Sequence, residues 1–330
     1  MSYQSPVMGM ICGLMLVFAQ SPVMADETAP ATTSFQEFIS QLKEDPAVIN
    51  FKPSTLSVLD SIQPIDKVVE LDRRQPEFSL TYESYSHSVI TPKRVAAGRK
   101  LMKDPKLPLS AIGRKYGVQP RFIVALWGME SGFGQSMGSY SVVASLATLA
   151  WEGRRAAFFR KELINALTII DQGDIDADRM TGSWAGAMGQ CQFMPSTFLK
   201  YAQDWEGDGK RDIWRDRGDA LASGAYYLSQ LGWNPSQGWG RPVVIPAGLD
   251  QSNLGLDVRK SLKEWQKLGV RAKGGGKLTG SGDGLSLILA DKTGGPAFLV
   301  TGNFRALMQW NRSYLFALTV GHLADAIGHR

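Results

Sequence analysis

Apolar residues recur at helical spacing through most of the first two-thirds of the chain, and this periodicity limits the available folds more than any other feature. A first helix is predicted from Ser34, because Ser34 and Glu37 form a capping-box pattern ahead of an apolar stripe. Two more are predicted within 91–117, separated by Pro105 and Pro108. Further helical patterns cover 119–131, 140–151, 155–171, 195–203 and 217–231, whereas 55–90 is less periodic. The sequence therefore predicts a mainly α fold.

The composition changes after Trp239, where Gly and Lys become more frequent and short apolar runs resemble strands. These runs cover 242–246, 285–290 and 297–300, with one helix predicted near 257–268. The helical pattern returns from Phe304. We therefore expect a small α+β insertion at 242–301 within an α-helical domain formed by 26–241 and 302–330.

The first 25 residues resemble an export signal. An apolar run at 7–19 is too short to span a membrane comfortably, and Ala25 ends a small-residue cleavage site. No Lys or Arg precedes the run, so an N-terminal anchor is the alternative, and the residues before Cys12 do not favour lipid attachment. We expect a signal peptide at 1–25, whose removal leaves Cys191 with no intrachain disulfide partner.

Composition and charge exclude several classes of protein. With 44% hydrophobic and 20% charged residues among 330, the chain is neither disordered nor fibrous. A net charge of +5 favours an anionic polymer as partner, but no nucleic-acid-binding motif appears. No apolar run outside the N-terminus is long enough to cross a membrane.

One carboxylic acid lies at the end of an apolar helical stripe. Ile123, Leu126, Trp127 and Glu130 follow the spacing i, i+3, i+4 and i+7 in the helix that starts at Pro120. Burial disfavours the charged carboxylate and raises its pKa, as a general acid near neutral pH requires. The alternative from this helix alone is a Glu that reaches solvent or pairs with an Arg.

A Gly-rich segment at 182–198 has the composition of a sugar-binding loop. Its glycines permit close backbone approach, and its neutral donors and acceptors suit sugar hydroxyl and acetamido groups. These polar residues are Ser183, Gln190, Gln192 and Ser196. The alternative is a tight helix–loop–helix crossing whose polar groups satisfy one another.

Four motifs together resemble the lytic murein transglycosylase B family. They are WGMESGFG at 127–134, WEGRR at 151–155, GAMGQCQFMPSTF from Gly186 and DRRQPEF at 72–78, and the resemblance runs from about Phe35 to the C-terminus. It implies a lysozyme-like (goose-type-like) catalytic domain in a periplasmic enzyme that acts as a monomer on peptidoglycan glycan strands. Other cell-wall enzymes are further expected partners.

The resemblance also implies a chemistry that needs no catalytic cofactor. The β-1,4 bond between N-acetylmuramic acid (MurNAc) and N-acetylglucosamine (GlcNAc) is cleaved without water. Glu130 protonates the leaving oxygen and then, as a base, helps the muramoyl 6-hydroxyl attack C1, giving 1,6-anhydro-MurNAc ends. One carboxylate suffices because the substrate supplies the nucleophile and its acetamido group stabilises the charge at C1.

Further site residues follow from the same resemblance. Ser183 and Gln192 match positions that bind substrate near the acid, and Arg154 and Arg155 match a pair facing the glycan and its peptide stem. Three more cleft positions match Tyr85, Tyr227 and Asn311. The sequence departs from the family pattern by having Trp310 and Phe316 where tyrosines are expected, and Cys191 where Gly is expected.

The segment beginning at Asp204 has the spacing of a calcium loop. Acidic residues stand at loop positions 1, 3, 5 and 9 with Gly209 at position 6, but position 12 is Arg215. Family members carry such a loop with a displaced closing carboxylate. The implied structural Ca²⁺ ligands are Asp204, Glu206, Asp208, the Lys210 carbonyl and Asp219. The alternative is an Asx-rich turn.

Two other functions remain open from the sequence. A hydrolytic muramidase needs a second carboxylate roughly 5 to 9.5 Å from Glu130, for which Asp171, Asp174 and Asp176 are available. A non-catalytic peptidoglycan-binding protein is the alternative from another class. An acid on an apolar face argues against it, because a binding protein gains little from that burial.

Overall fold

The computed structural model describes residues 33–74, 80–291 and 294–328. The predicted signal peptide at 1–25, with Cys12, lies outside the described residues, as do positions 75–78 of the DRRQPEF motif. No described helix is both long enough and apolar enough to cross a membrane.

The described chain is mainly helical, as predicted. Ser34 caps the first helix, since its hydroxyl accepts from the Glu37 backbone N–H while the Glu37 carboxylate accepts from the Ser34 N–H. The helices are α1 Phe35–Lys43, α2 Pro53–Ser61, α3 Asp66–Arg73, α4 Tyr82–Val89, α5 Pro92–Leu101, α6 Leu109–Tyr116, α7 Pro120–Ser131, α8 Val142–Glu152, α9 Ala156–Gln172, α10 Pro195–Tyr201, α11 Arg217–Gln230, α12 Leu262–Lys267, α13 Gly302–Trp310 and α14 Tyr314–Gly328.

Two parts of the helical prediction need correction. The less periodic stretch at 55–90 contains most of α2 and all of α3 and α4, which are short and bury only two or three side chains each, too few to show a period. The helical pattern after Phe304 belongs to two helices, because Asn311 leaves the helical conformation with φ −143° and ψ 120°.

The helix that carries Glu130 runs through the middle of the helical core. Every residue from Phe122 to Ser131 in α7 is buried, so the helix is covered on all sides and not only along the predicted stripe. It packs against α5, α6, α11 and α14. Gly132 ends the helix in the left-handed region at φ 58°, where a side chain would be strained.

Two large apolar cores meet at the functional region. The first surrounds α7 and α14, and the second is formed mainly by the first three helices with α8, α9 and α10. Trp310 packs against both cores. The junction between them therefore lies beside the last residue of α13.

The strands form a small antiparallel sheet in the order β4-β3-β6-β5, from β3 Gly240–Val244, β4 Arg271–Ala272, β5 Ser286–Asp291 and β6 Gly294–Val300. Ile288 pairs with Phe298, and both join the first helical core. Val243, paired with Ala297, belongs to a third core around Trp265 of α12. One sheet face thus rests on the helices while the other is covered by the 242–301 segment itself.

A second, two-stranded pairing positions the Gly-rich segment. Strand β1 Tyr140–Ser141 pairs antiparallel with β2 Thr181–Gly182, with Tyr140 opposite Gly182. A Cβ atom at Gly182 would lie 2.2 Å from the Ala187 carbonyl oxygen, so this crossing requires glycine. The pairing fixes the start of the 182–198 segment against the N-terminus of α8.

Candidate active site

Glu130 is a buried carboxyl group with one hydrogen bond. Its side chain lies near the end of α7 and the residue is only 6% exposed. The Trp310 indole Nε1–H donates to Glu130 Oε1 at 2.7 Å, while Oε2 is buried without a partner among the described residues. Burial raises the pKa of Glu130 to about 8, against the smaller lowering effect of the Trp310 hydrogen bond. The group is therefore mostly protonated at neutral pH.

A small cavity of about 20 Å³ adjoins this carboxyl group, with room for one water molecule. Its walls are mainly apolar and come from α7, α11, the Gly-rich segment and Trp310. The lining residues are Ile123, Leu126, Trp127, Glu130, Gln190, Cys191, Ala220, Leu221, Gly224 and Trp310. Glu130 is the one acid in this lining.

Gln190 connects α7 to the Gly-rich segment, and its polar groups form hydrogen bonds within the protein. Its Oε1 accepts from Trp127 Nε1–H at 3.0 Å, and its Nε2 donates to the Trp214 carbonyl at 3.3 Å. The Ser131 hydroxyl donates to the Gln190 carbonyl at 2.8 Å. These bonds hold the Gly-rich segment beside the C-terminal end of α7.

The two polar residues predicted to bind substrate lie on the same segment. The Ser183 hydroxyl is half-buried and accepts from the Ala187 N–H at 3.0 Å. Gln192 has the left-handed φ of 50°, and its amide nitrogen donates to the Met137 and Gly189 carbonyls. Because that nitrogen is used inside the protein, any new contact by Gln192 has to use its oxygen.

Aromatic side chains surround Trp310. The Tyr227 ring centroid lies 5.0 Å from that of Trp310 and 4.4 Å from that of Tyr201, and the Phe193 ring centroid lies 5.6 Å from that of Trp310. Burial raises the pKa of the Tyr227 hydroxyl. Trp310 was not among the predicted site residues, but it directs its indole N–H at Glu130; its position beside Asn311 is the signal that could have suggested this.

The other two predicted cleft residues lie in different places, and Cys191, where Gly is expected, lies in the cavity lining. Asn311 directly follows α13 beside Trp310, and Tyr85 packs partly buried on the first core. Cys191 is buried, and its thiol donates to the Ala220 carbonyl. Burial, with the nearby Glu130, raises the pKa of Cys191, which opposes thiolate chemistry.

Arg154 and Arg155 are held together by a buried acid. Arg154 Nε donates to Asp72 Oδ2 and Arg155 Nη2 donates to Asp72 Oδ1, both at 2.7 Å, and Asp72 is 1% exposed. The described start of the DRRQPEF motif therefore contacts the WEGRR motif. The three side chains together carry one net positive charge, in an orientation that Asp72 fixes.

Three carboxylates gather near the predicted metal loop. Oxygens of Glu206, Asp216 and Asp219 lie within 4.8 Å of one another. Burial and the neighbouring acids raise the pKa of Glu206 to about 7, and burial also raises that of Asp219. Asp216 is an addition to the predicted set; its position as N-cap of α11 concealed it in the sequence.

The remaining predicted ligands lie outside this three-carboxylate cluster. Asp204 accepts from the N–H groups of Gly207 and Gly209, and Asp208 accepts from the Lys210 N–H. These are the bonds of an Asx-type turn, which was the alternative reading of the loop. The turn and the cluster share the loop, because Glu206 lies between Asp204 and Asp208.

A mainly helical domain with a buried, protonated glutamic acid beside a Gly-rich polar segment is typical of the lysozyme-like enzymes. These enzymes cleave glycans by acid catalysis from a carboxyl group of raised pKa.

Comparison with known proteins identifies the family within this class. Residues 34–325 match the transglycosylase SLT domain, and the chain belongs to this family of lytic transglycosylases. Membrane-bound lytic murein transglycosylase B of Escherichia coli is 30% identical over 283 residues, covering 82% of this chain and 76% of that protein. The family and the lysozyme-like fold predicted from the motifs are thereby confirmed.

Two solved structures give the same result. SltB3 from Pseudomonas aeruginosa in complex with NAG-anhNAM-pentapeptide is 44% identical with a TM-score of 0.86, covering 89% of this chain and 80% of that chain. Escherichia coli Slt35 in complex with calcium is 29% identical with a TM-score of 0.74, covering 89% of this chain and 92% of that chain.

Proposed function

We propose that this enzyme cleaves the β-1,4 MurNAc–GlcNAc bond of peptidoglycan without water and leaves 1,6-anhydro-MurNAc ends. The observation that carries the proposal is the buried Glu130, the one acid in the described cavity lining, with a pKa near 8 and one oxygen without a partner among the described residues. The complexes of SltB3 with NAG-anhNAM-pentapeptide and with NAG-NAM-pentapeptide support the choice of substrate.

The proposed reaction uses Glu130 twice. The protonated carboxyl donates its proton to the glycosidic oxygen as the bond from that oxygen to C1 breaks. The resulting carboxylate then accepts the proton of the muramoyl 6-hydroxyl while O6 bonds to C1, which regenerates the acid. Neither water nor a cofactor takes part in these two steps. Burial serves both steps, because it keeps the acid protonated and makes the carboxylate a stronger base.

The two alternatives from the sequence are less well supported. The acids available to a hydrolytic muramidase have other partners: Asp171 accepts from Thr55, Asp174 pairs with Arg211, and Asp176 pairs with Arg179. Within the described cavity lining, Glu130 has no second carboxylate to activate water. A non-catalytic binding protein would carry the cost of burying Glu130 without a use for it.

The residues proposed to contact substrate are those that the family resemblance implies. Ser183 and the Gln192 oxygen face the sugars near Glu130, and Tyr85, Tyr227 and Asn311 are further contact positions in the cleft. Arg154 and Arg155 bind carboxylates of the peptide stem through donors that Asp72 does not use. Their mutual ion pairs with Asp72 support a fixed orientation for this recognition.

The loop from Asp204 to Asp219 is proposed to hold a structural Ca²⁺. The donor set fits a hard cation, because clustered carboxylates raise one another's pKa until a positive charge neutralises them. Glu206, Asp216 and Asp219 would bind it, with Asp204, Asp208 and the Lys210 carbonyl closing the shell. The calcium complex of Slt35 supports this assignment.

Export and organisation complete the proposal. Residues 1–25 act as a signal peptide that delivers a periplasmic monomer, and 242–301 is an insertion in the catalytic domain. The membrane-bound relative from Escherichia coli supports action at the cell envelope. N-terminal sequencing of protein from the native host tests the processing, and a mature chain that keeps Met1 contradicts it.

Mass spectrometry of digested peptidoglycan tests the reaction type. The proposal expects disaccharide-peptides that are one water lighter than hydrolytic products. Incubation in ¹⁸O-labelled water provides the control, because a hydrolase transfers the label to the new end and a transglycosylase does not. Products that carry the label would overturn the proposed chemistry.

A further inference from the structure

Trp310 can only donate, and never accept, a hydrogen bond in its contact with Glu130. An indole Nε1–H can donate but cannot accept, so Oε1 of Glu130 has to act as the acceptor in their 2.7 Å contact. When Glu130 is protonated, this contact favours the proton on Oε2, because the carbonyl oxygen of a carboxylic acid is a better acceptor than its hydroxyl oxygen. Oε2 is the oxygen that is buried without a partner among the described residues.

We propose that Trp310 is the positioning residue that places the acid proton of Glu130 on Oε2 and aims that oxygen at the glycosidic bond. This inference rests on the proposed function and concerns this chain in particular, because its motif has Trp310 where a tyrosine is expected. A tyrosine hydroxyl can donate or accept and would leave the proton position open. The indole removes that choice.

The packing around Trp310 fixes its direction. Tyr227 and Phe193 lie against its ring, at 5.0 and 5.6 Å between centroids, and the indole lines the cavity beside Glu130. The ring therefore has neighbours that hold it while its N–H faces the carboxyl group. An aromatic ring packed in this way loses little further entropy when it makes its hydrogen bond.

Few other charged or titratable groups face this carboxyl group. The Cys191 thiol lines the same cavity, and the Arg217 guanidinium of α11 lies over the Trp127 ring at 5.8 Å. Arg121 and Asp325 pair at the opposite, N-terminal end of α7. Burial and Trp310 are the two influences that set the pKa of Glu130.

The test compares Trp310→Phe with Trp127→Phe. Both variants lose an indole N–H that lines the same cavity, but Trp127 donates to Gln190 and not to Glu130. In Trp310→Phe we expect maximal turnover to fall about 10- to 100-fold and the alkaline limb of the pH–rate profile to move up by about one pH unit. The limb should stay in place in Trp127→Phe.

A second replacement separates the hydrogen bond from packing. Benzothienylalanine at position 310 keeps the shape of the indole and replaces its N–H by sulfur, and should reproduce the shifted limb. The proposal is overturned if the limb stays in place in either variant at position 310, or moves equally in Trp127→Phe. Loss of the anhydro product from the unmodified enzyme would instead contradict the proposed function.

The segment that contains α5 and α6 has an unusual charge. Segment 92–116 contains eight Lys and Arg residues and one acid, Asp104, a net charge of +7 against +5 for the whole chain. Within the described residues none of these eight forms an ion pair. Seven are exposed: Lys93, Arg99, Lys100, Lys103, Lys106, Arg114 and Lys115. We call them the α5–α6 basic surface.

Independently of Trp310, we propose that the α5–α6 basic surface binds the carboxylates of peptide stems on peptidoglycan strands outside the cleft, keeping the enzyme on its polymer. Like charges at this density repel one another and gain from an anionic partner. Large exposed apolar side chains of the described chain occur at Ile49, Leu80, Val244 and Leu268, none of them in this segment. A surface without large exposed apolar residues to insert favours an anionic polymer over a lipid bilayer.

Sedimentation with purified, insoluble peptidoglycan tests this second proposal. In the inactive Glu130→Gln background, Lys100→Glu/Lys103→Glu/Lys106→Glu should weaken retention at least about fivefold. The control Lys263→Glu/Lys267→Glu/Lys277→Glu changes the net charge equally on exposed lysines of the 242–301 segment and should retain binding.

Two further measurements distinguish binding to peptidoglycan from an effect on the active site and from binding to a membrane. With active Glu130, the first triple variant should cleave a short soluble glycan fragment at the normal rate, because its lysines do not line the cavity at Glu130. Equal retention of the two triple variants, or loss of fragment cleavage in the first, overturns the proposal. So does tight binding to phosphatidylglycerol vesicles that the first triple variant loses while its retention on peptidoglycan persists.

Discussion

At the scale of single residues, the chemistry depends on how the protein keeps Glu130 neutral. Desolvation in α7 raises its pKa, and the one hydrogen bond that it receives lowers the pKa by less. Glu162 shows the contrast: it is also buried, but its two oxygens accept from the N–H and hydroxyl of Ser196. Burial alone therefore does not make an acid catalytic, and the oxygen without a partner distinguishes Glu130 from Glu162.

The pH dependence of cleavage follows from this pKa. Glu130 has to be protonated to donate, so activity should be retained below its pKa of about 8 and fall as pH rises through that value. The measurement is the turnover of purified peptidoglycan from pH 5 to pH 10, with folding followed by circular dichroism. An alkaline limb near pH 5, the range of an exposed Glu, would contradict the burial argument.

At the scale of elements, the turn after α7 positions the Gly-rich segment. Gly132 and Gly134 both have left-handed φ angles, of 58° and 81°. A Cβ atom at Gly134 would lie 2.6 Å from Gln190 Oε1, whereas a Cβ atom at Gly132 meets nothing within 4 Å. The two positions share the backbone conformation and differ in their surroundings.

Alanine at these two glycines separates backbone strain from packing. Gly132→Ala should cost about 1–2 kcal/mol of unfolding free energy from strain alone. Gly134→Ala should cost more and also reduce turnover, because it displaces Gln190, which holds Trp127. Denaturant unfolding and kcat measure the two effects. Equal losses of unfolding free energy and of kcat in the two variants would show that the contact with Gln190 does not affect turnover.

The loop before α11 should respond to calcium. Saturating Ca²⁺ should raise the melting temperature, since a ligand that binds only the folded state stabilises it by linkage. Glu206→Gln should remove most of that rise, and Asp178→Asn, an exposed acid outside the loop, should keep it. Both variants should cleave glycan at low temperature. The calcium assignment fails if the wild-type melting curve does not respond to the ion.

The sequence predicted those elements whose residues carry a local signal. Capping residues and an apolar period identified α1 and α7. The family resemblance, not a local pattern, implied that the Gly-rich segment lies near Glu130, where Gln190 and Cys191 line the same cavity. Helices α2 to α4 were missed, because each buries too few residues to show a period. Asp216 and Trp310 depend on contacts across the fold: Trp310 reaches Glu130 over 180 residues of sequence, and no local pattern encodes such a distance.

At the scale of the whole molecule, two helical cores and a sheet converge on one acid. Helix α7 lies in the first core, the Gly-rich segment belongs to the second, and Trp310 contacts both. The sheet supports α14, which packs on α7. The position of Glu130 thus depends on most of the fold, although its chemistry needs only its own carboxyl group and the substrate.

The central claim is that Glu130 is the one acid and base of the reaction, and Glu130→Gln tests it most directly. The amide fits the same space but has no acidic proton, so turnover of purified peptidoglycan should fall at least about 100- to 10,000-fold while folding and glycan binding persist. The matched control is Glu162→Gln, an equally buried glutamate outside the cavity, which should stay within a few-fold of wild type. Turnover by Glu130→Gln within tenfold of the wild-type rate would contradict the account.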